Sequence, residues 1–359
     1  MRILFYISTI KGGGAARVMV NIANGMVREG HEIVFVTNFP AEHEYILDSK
    51  ISRHILEVSE SRSNMLVKNF TRIKALKKVI KETSPDVSIA FMRENNFRLI
   101  MAAGKKTKTI VSVRNDPAKE YPNKFSKILA EILYKKAAGV VFQTEDAKKA
   151  FSPKVQSRSS IIFNQVDEKF FDDNKEPGDY IIACGRLSKQ KNYPMMLRGF
   201  SEAVKTHKDE KLRIYGEGNL KDQLTDLVKD LNIENNVEFM GFSTDMKSVY
   251  KSAKLLVMTS DYEGMPNAVL EALASSVPVI STDCPCGGPR MIIKEGQNGY
   301  LVRTGDDKEL SDKLNKFLDL SDAKTKEMRS NAYETGKMFS PPVILKEWTE
   351  MIGRVIECS

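Results

Sequence analysis

The sequence predicts an α/β protein made of two doubly wound domains with parallel sheets. Two observations carry this prediction: strand-sized apolar runs alternate with helical patterns, and the alternation restarts after an acidic, turn-rich segment. The length of 359 residues also suits two domains of ordinary size. The segment between the two alternations is Asp167–Asp179, which contains Pro177-Gly178 and is typical of an interdomain linker.

The first domain is expected over residues 1–170. Short apolar runs predict its strands, and apolar residues at helical spacing predict its helices. The predicted strands are Arg2–Ser8, Glu32–Thr37, Asp86–Met92, Thr109–Val113 and Val140–Gln143, and the helices include Ala15–Glu29, Met65–Ser84 and Asn123–Ala138.

The second domain is expected over residues 171–340, followed by a final helix, Val343–Ile356, within 341–359. Ligands of doubly wound sheets bind at the carboxyl ends of the strands, so the cleft between two such domains is the expected site. The predicted strands are Tyr180–Cys184, Leu212–Tyr215, Val237–Met240, Leu255–Thr259, Pro278–Thr282 and Tyr300–Val302, and the helices include Asn219–Leu231, Met246–Ala253 and Pro266–Ala274.

Composition excludes several classes of protein. Only 21 glycines and 13 prolines occur in 359 residues, which excludes collagen-like and low-complexity chains. The apolar runs are strand-sized and no secretory signal is evident, so a cytosolic protein is expected. The four cysteines are too few for a disulfide framework, and the four histidines lie far from them at no ligand spacing, so no metal site is expected.

Positive charge is concentrated in one stretch. The net charge is +8, and residues 62–136 contain 18 Lys and Arg against 6 Asp and Glu, which predicts an anionic partner. Within it, Lys68, Arg72 and Lys78 fall mainly opposite the predicted apolar stripe of the helix Met65–Ser84. The stripe consists of Leu66, Phe70, Ile73, Leu76 and Ile80. Two interpretations stay open: a core-packed helix with a solvated charged face, or a helix on anionic lipid. No nucleic-acid motif accompanies the charge, and nucleic acid is not an expected partner.

A glycine-rich loop follows the first predicted strand. Gly12, Gly13 and Gly14 precede a helix, where glycines let the backbone approach an anion near unpaired N–H groups. A dinucleotide fingerprint would require glycine where Arg17 stands, and an acidic residue where the second strand ends in Thr37-Asn38. An NAD site is therefore not expected. A sharp turn without a ligand, or contact with a phosphate or the substrate's polar groups, stays open.

Basic and acidic loops follow two strands of the second domain. After Tyr180–Cys184, Arg186 and Lys191 can together hold two phosphates, although a merely solvated loop is the alternative. After Leu255–Thr259, Glu263 precedes a helix near Pro266 and can accept hydroxyl hydrogen bonds. Glu271 lies two turns into that helix among apolar neighbours, so it needs donors, which two vicinal hydroxyls or a salt bridge could supply.

These motifs resemble those of the GT-B retaining glycosyltransferases of family GT4, especially bacterial enzymes that extend lipid-linked oligosaccharides for capsule, O-antigen or glycoprotein assembly. The resemblance covers nearly the whole chain. The residues that carry it are Gly13-Gly14-Ala15-Ala16-Arg17, Phe142-Gln143-Thr144, Phe163-Asn164-x-Val166-Asp167, Gly185-Arg186-x4-Lys191, Tyr215-Gly216-Glu217-Gly218 and Glu263-x7-Glu271 with Gly264 and Pro266 between.

The resemblance implies a role for each matching position. Arg186 and Lys191 would hold the donor diphosphate without a metal, Glu263 would bind the donor sugar, and Glu271 would bind the ribose. The loop Gly216–Gly218 and the segment around Phe242 would border the nucleoside base, and the final helix would cross back to the first domain. The remaining expected donor contacts are Gly13, Gly14, Gly185, Glu217, Gly264, Met265, Pro266 and Asn267.

The chain departs from the family pattern at two positions. Arg114 stands where many relatives carry a histidine. Because arginine cannot act as a base at neutral pH, Arg114 would instead contact the sugar or the acceptor's phosphate. Asn115 and Gly12 are further expected contacts to the acceptor or the sugar. Met291 stands where relatives often have a glutamate, so one contact to the donor sugar would be missing or come from the backbone.

The sequence therefore predicts a retaining, metal-independent glycosyltransferase that requires no cofactor. It would move a hexose or N-acetylhexosamine from a UDP-sugar to a hydroxyl of an undecaprenyl-diphosphate-linked saccharide. Lys68, Arg72 and Lys78 would meet the inner membrane surface or the acceptor's diphosphate, placing the protein at the cytoplasmic face of the membrane. The alternatives are a GT-B nucleotide-sugar epimerase, and a non-catalytic subunit that binds a nucleotide-sugar or anionic lipid.

Overall fold

A computed structural model describes residues 1–56, 65–173 and 176–357. Residues 174 and 175 of the expected linker lie outside this range. The chain divides into two compact units, one formed by Met1–Gln165 with Pro341–Ser359 and the other by Val166–Ser340. The division falls between residues 165 and 166, whereas the sequence placed it between 170 and 171. Each unit has its own sheet and its own core.

Parallel strands form the sheet of the first unit, in the spatial order β3-β2-β1-β4-β5-β6-β7 among the described residues. The order reverses beside β1, as in other doubly wound sheets. Two half-exposed edge strands, β3 and β7, were not predicted. The strands are β1 (Arg2–Ile7), β2 (Glu32–Thr37), β3 (Ser52–Ile55), β4 (Val87–Phe91), β5 (Lys108–Ser112), β6 (Gly139–Phe142) and β7 (Ser159–Ile161).

Helices cover both faces of this sheet. Phe5 of β1 packs with Met19 of α1 in one core, whereas its neighbour Leu4 packs with Leu76 of α2 and Leu99 of α3 in another. Because successive strand residues point to opposite faces, α1 lies on one face and α2 and α3 lie on the other. The helices are α1 (Gly14–Arg28), α2 (Met65–Thr83), α3 (Arg93–Ala103), α4 (Pro117–Glu120), α5 (Lys124–Tyr134), α6 (Glu145–Lys149) and α7 (Pro153–Gln156).

The predicted apolar stripe of α2 is partly wrong. Leu76 and Ile80 are buried as expected, but Phe70 is 72% exposed, and Arg72 has a buried Nε atom. At about 100° per residue, Phe70 lies about 120° around the helix from Leu76, whereas Arg72 lies only about 40° from it. Arg72 therefore belongs to the packed face of the helix. The side chain of Leu66, also assigned to the stripe, lies outside the described residues.

The second unit repeats the doubly wound plan, with described strands in the order β10-β9-β8-β11-β12-β13, all parallel. Ile181 of β8, Phe200 of α8 and Leu310 of α13 meet in its core. The elements are β8 (Tyr180–Cys184), α8 (Tyr193–Ala203), β9 (Leu212–Tyr215), α9 (Lys221–Asp230), β10 (Val237–Gly241), α10 (Met246–Lys251), β11 (Ala253–Met258), α11 (Asn267–Ala274), β12 (Val279–Thr282), α12 (Gly288–Ile292), β13 (Gly299–Val302), α13 (Asp307–Leu318) and α14 (Asp322–Gly336).

The helix α15 (Pro341–Glu357) follows the second unit in the chain but completes the core of the first. Trp348 is fully buried, and its ring lies 5.6 Å from that of Phe91. Leu345 crosses α1 so closely at Gly25 that a Cβ there would lie 2.5 Å from the leucine Cδ1. The expected return of the final helix to the first domain is confirmed. Among the helices of the described ranges, none combines the length and the apolar character needed to cross a bilayer.

Candidate functional site

Two glycine-containing loops after β8 and β9 pack backbone against backbone. The N–H of Gly185 donates to the carbonyl of Tyr215 (2.9 Å), and the N–H of Leu187 donates to that of Glu217 (2.9 Å). A Cβ on Gly216, whose φ is +141°, would lie 2.0 Å from the carbonyl oxygen of Gly185. Only glycine permits this approach, which explains the residue type at the carboxyl edge of the sheet.

The segment after β10 lies beside the same loop. The N–H of Gly216 donates to the carbonyl of Gly241 (2.8 Å), and the next residue, Phe242, is 72% exposed. Glu217 is exposed as well. The structure thus brings together the two segments that the sequence assigned to the nucleoside base, and it leaves an aromatic ring at their edge.

The loop that carries Lys191 is fixed by the loop after β11. Asn192 has a left-handed φ of 44°, and its side-chain amide donates to the Asp261 carboxylate (2.8 Å). The Thr259 hydroxyl donates to the carbonyls of Lys191 (3.1 Å) and Asn192 (3.0 Å). The N–H of Asp261 in turn donates to the carbonyl of Gln190 (2.8 Å). These bonds hold the two loops in one arrangement at the ends of neighbouring strands.

The structure joins Lys191 and Glu263, which the sequence treated as separate donor contacts. Lys191 Nζ lies 2.6 Å from Glu263 Oε1, which also accepts the Ser260 hydroxyl (2.9 Å). The side chains are 20% and 12% exposed, so the ion pair is largely shielded yet reachable. Burial, and then the negative charge of Glu263, raise the pKa of the Cys284 thiol to about 12, so that this thiol stays protonated.

Arg186 lies in the same loop as Lys191, but its side chain is exposed. A guanidinium in this position can bind an anion without breaking an ion pair with a buried carboxylate. The loop therefore presents two exposed cations, Arg186 and Lys189, and one cation shared with a carboxylate, Lys191.

Glu271 is buried in the second turn of α11, as the sequence predicted. The Tyr250 hydroxyl donates to Glu271 Oε2 (3.0 Å). The carboxylate lies near Cys184, whose pKa is raised by burial and by the charge of Glu271. The sequence missed Tyr250, because it lies on α10, 21 residues before its partner.

The start of α11 is packed against the loop before α12. Pro266 occupies the N-cap position, and Gly264 and Met265 are buried beside it. A Cβ on Gly288 would lie 1.9 Å from the carbonyl oxygen of Gly264. Asn267, half-buried, is the first residue of the helix. This contact sets the position of Glu263 just upstream.

In the first unit, the loop Gly12–Gly14 is exposed. Gly12 and Gly13 have φ values of +58° and +79°, and a Cβ on either would meet no atom within 4 Å. Backbone conformation is therefore sufficient to explain both glycines, as the sharp-turn interpretation requires. That interpretation leaves contact with a substrate open, because the loop lies at the carboxyl end of β1.

Arg114 and Glu120 form a charged cluster in the first unit, after β5. The Arg114 guanidinium lies 4.0 Å from the centre of the Phe91 ring, and its Nη2 atom is buried without a hydrogen-bond partner among the described residues. Burial lowers the pKa of Arg114 to about 9, and it raises the pKa of Glu120 to about 7, although the carboxylate accepts the N–H of Arg93 (2.7 Å). Asn115 is half-buried and accepts the N–H of Asp116 (2.8 Å).

A buried polar network at the end of β1 was missed by the sequence analysis. Arg98 donates to Asn69 Oδ1 of α2 (2.7 and 3.0 Å), and Tyr6 donates to Asn38 (2.8 Å). Burial raises the pKa of Tyr6, and the charges of Arg98 and Arg72 oppose that rise. Arg72 therefore lies close enough to Tyr6 of β1 for its charge to act on the tyrosine hydroxyl. Lys78 instead projects into solvent beside Glu82 (3.8 Å), and Lys68 is half-buried.

Solved structures with this architecture define the class of fold. The Anabaena protein HepE, solved with UDP and glucose, superimposes with a TM-score of 0.81 over 98% of this chain and 99% of its own, at 18% identity. Sucrose-phosphate synthase from Thermosynechococcus elongatus gives a TM-score of 0.84 over 100% of both chains at 14% identity. The fold is GT-B, which confirms the predicted fold class.

Sequence comparisons identify the family. The model "Glycosyltransferase Family 4" matches residues 12–170, and "Glycosyl transferases group 1" matches residues 165–335. A relative from Campylobacter jejuni, GalNAc-alpha-(1->4)-GalNAc-alpha-(1->3)-diNAcBac-PP-undecaprenol alpha-1,4-N-acetyl-D-galactosaminyltransferase, is 30% identical over 99% of both chains. A second, N-acetylgalactosamine-N,N'-diacetylbacillosaminyl-diphospho-undecaprenol 4-alpha-N-acetylgalactosaminyltransferase, is 28% identical over 95% of this chain and 96% of its own.

The chain belongs to glycosyltransferase family 4, and it is a glycosyltransferase. The predicted family and the predicted enzyme class are confirmed, and the epimerase and the non-catalytic subunit lose their support.

Proposed function

We propose that this glycosyltransferase moves a hexose or N-acetylhexosamine from a UDP-sugar to a hydroxyl of an undecaprenyl-diphosphate-linked saccharide, with retention and without a metal. The observation that carries the proposal is the Lys191–Glu263 ion pair at the carboxyl edge of the second sheet, beside the exposed Arg186. The names of the two Campylobacter jejuni relatives support a lipid-linked acceptor. The UDP bound to HepE supports the donor nucleotide.

Arg186 and Lys191 stabilise the leaving group in this proposal. The bond between the anomeric carbon and the diphosphate oxygen breaks, and its electron pair stays on UDP. The two cations lower the energy of that charge, as preorganised cations do in other transfer reactions. An ammonium has three N–H donors, so Lys191 can keep its bond to Glu263 (2.6 Å) and still bind a phosphate oxygen. These two side chains would take the place of a metal.

The acceptor hydroxyl attacks from the face that the diphosphate leaves. Its oxygen bonds to the anomeric carbon, and its proton passes to an oxygen of the departing diphosphate, so no protein base is required. Glu263 accepts hydroxyl hydrogen bonds from the donor sugar and fixes its orientation. Glu271, oriented by Tyr250 (3.0 Å), binds the ribose hydroxyls.

Two different parts of the first unit suit the two parts of a lipid-linked acceptor, its diphosphate and its lipid environment. The charges of Arg72 and Arg98 both act on Tyr6 of β1, so these cations suit the acceptor's diphosphate, with Arg114 as a further contact to the sugar or phosphate. Lipid contact instead suits apolar side chains on α2 and α5, helices that flank α3. Their exposed fractions are 55% for Val67, 72% for Phe70, 76% for Phe125, 58% for Ile128 and 49% for Ile132.

The two helices that carry this apolar surface also carry lysines. Lys68, Lys78, Lys124 and Lys127 lie on them, so these helices combine exposed apolar side chains with positive charge. That combination is what binds a helix to anionic lipid. We place the protein at the cytoplasmic face of the cell membrane on this basis.

The deciding experiment measures nucleotide release from UDP-, GDP- and ADP-sugars in the presence of EDTA, with and without an undecaprenyl-diphosphate-linked disaccharide. The proposal expects UDP from one donor, faster with acceptor, and an α-linked product by NMR for an α-linked donor. A requirement for Mg²⁺ or an inverted product would contradict the metal-independent, retaining mechanism. Release of GDP or ADP instead would contradict the UDP-sugar assignment.

A further inference from the structure

A cavity lies in the first unit, at the edge of the sheet opposite the glycine loop. It has a volume of about 940 Å³, and its walls are the segments that precede β4, β5, β6 and β7, together with the end of α15. These are the amino ends of parallel strands, whereas the glycine loop, Arg114 and the Arg98 network lie at the carboxyl ends. We refer to this cavity as the amino-edge cleft.

The amino-edge cleft is strongly basic. Gly104, with a φ of +55°, ends α3 and turns the chain into a basic segment that forms one wall. Asp86 is the carboxylate on the lining, and it accepts the N–H of Arg2 (2.7 Å) at the rim. The cationic side chains on the lining are Lys105, Lys106, Lys108, Lys136, Arg158 and Arg354.

No carboxylate among the residues that the structure describes forms an ion pair with these cations. Arg158 donates to the carbonyls of Lys135 (3.1 Å) and Ala137 (3.2 Å), and Arg354 donates to the Ser160 hydroxyl (2.6 Å), so both guanidinium groups are fixed by uncharged acceptors. Elsewhere, Lys205 and Lys254 pair with Glu202 (2.7 Å) and Glu210 (3.0 Å).

A concave surface with clustered like charges favours a multivalent counter-ion. Two unit charges 8 Å apart repel by about 0.5 kcal/mol even at the dielectric constant of water, and low-dielectric walls strengthen the field inside a cleft. A single anion with several charges relieves many of these repulsions at once. Phosphate oxygens also match the fork of an arginine that is already held in place.

We propose that the amino-edge cleft is a binding site for a multiply charged phosphate anion of the diphosphate type. Such an anion would bridge Lys105 and Lys136, which precede β5 and β6, to Arg354 on α15. Binding would therefore stabilise the attachment of α15 to the sheet. The anion can come from solution or from a lipid headgroup, which share this chemistry. The site is independent of the proposed donor site and does not rest on it.

The test uses the full chain with Arg186→Ala and Lys191→Ala, which removes the proposed donor contacts, as its background. Inorganic pyrophosphate is titrated calorimetrically into this background protein. The cleft variant adds Lys105→Gln and Lys136→Gln, two exposed lysines. The control adds Lys308→Gln and Lys316→Gln, two exposed lysines of α13, so that the net charge changes equally. A second arm measures flotation with vesicles of equal parts phosphatidylglycerol and phosphatidylcholine.

The proposal expects pyrophosphate to bind the background and the control, and the cleft variant to bind about tenfold more weakly, which corresponds to about 1.4 kcal/mol. It also expects pyrophosphate to raise Tm, and Arg354→Gln to reduce that rise. Loss of vesicle flotation in the cleft variant alone would support the same chemistry in a headgroup. Equal behaviour of the cleft and control variants in both arms would overturn the proposal.

Discussion

Lys191 Nζ lies 2.6 Å from Glu263 Oε1, although 72 residues separate the two in the chain. The pair joins the loops after β8 and β11, which are neighbouring parallel strands. The carboxylate holds the ammonium group at the edge of the sheet, and the remaining N–H donors of the ammonium group can bind a second anion. The same contact thus places the carboxylate that binds the sugar beside the ammonium group that binds the diphosphate in the proposed mechanism.

Replacing Lys191 by alanine is expected to lower kcat about 100- to 1,000-fold, because one of the two charges that stabilise the leaving diphosphate is lost. The measurement is the steady-state rate of UDP release with saturating acceptor. Lys189→Ala is the matched control, since Lys189 is an exposed lysine of the same helical turn. Equal losses in the two variants would argue against a specific role for Lys191.

Replacing Glu263 by glutamine is expected to raise the affinity for UDP while it lowers the turnover rate. Lys191 no longer shares its charge with a carboxylate, so UDP should bind several-fold more tightly, which is about 1 kcal/mol for fivefold. Turnover should fall, because the amide accepts sugar hydroxyls less strongly than the carboxylate does. Calorimetry with UDP and steady-state rates measure the two effects. Weaker UDP binding would contradict this account, and Glu202→Gln controls for a general change in charge.

Replacing Gly216 by alanine is expected to damage the donor site, because the new Cβ would lie 2.0 Å from the carbonyl oxygen of Gly185. UDP affinity should fall at least tenfold, since the loop must move away from β8. Gly353→Ala is the contrasting variant. A Cβ at Gly353 meets no atom within 4 Å inside α15, so alanine should raise the free energy of unfolding by about 0.5–1 kcal/mol. Urea titrations and UDP calorimetry check both results.

Stability is expected to fall with rising pH through the titration of Glu120. Burial raises the pKa of this carboxyl from 4.5 to about 7, so the folded state binds the proton more tightly than the unfolded state does. The resulting stability is present below about pH 4.5 and is lost as the pH rises to about 7. Urea unfolding at pH 5 and pH 8 should show a smaller difference for Glu120→Gln than for the parent. Glu145→Gln, at an exposed position, should retain the parent's difference.

Membrane contact is expected to depend on the apolar face of α5. Phe125→Ser with Ile128→Ser removes two side chains that are 76% and 58% exposed, so it should weaken flotation with anionic vesicles without damaging the core. Ile46→Ser is the control, because Ile46 is 86% exposed but lies outside both helices. Replacing the exposed Lys78, Lys124 and Lys127 with serine tests the charged contribution. Unchanged flotation in both sets would remove the case for docking through these helices.

Much of the fold could be predicted because buried parallel strands leave strong signals. The strands β2, β8 and β9 have the predicted bounds, since each is short, mostly apolar and flanked by polar or turn-forming residues. In contrast, β3 and β7 are three to four residues long and half-exposed, so neither has an apolar run to detect. Phe70 shows the opposite error, because an aromatic residue near helical spacing looked like core but lies on the open face of α2.

The loops of the candidate site could be predicted from residue type, but their pairing could not. Glycines, basic residues and acidic residues marked the loops after β8, β9 and β11. Which side chains meet depends on strand order, and β11 lies beside β8 although five helices and strands of the chain separate Lys191 from it. The hydrogen bond from Tyr250 to Glu271 and the hydrogen bonds from Arg98 to Asn69 are likewise products of the fold.

The return of α15 to the first unit has a consequence for synthesis on the ribosome. Trp348 and Leu345 enter the nascent chain only after the whole second unit, yet they fill the space against Phe91 and Gly25. While the second unit is being translated, the first unit therefore exposes an apolar groove at the place where α15 will dock. The nascent first unit should bind chaperones that hold apolar surface until residues 341–357 leave the exit tunnel.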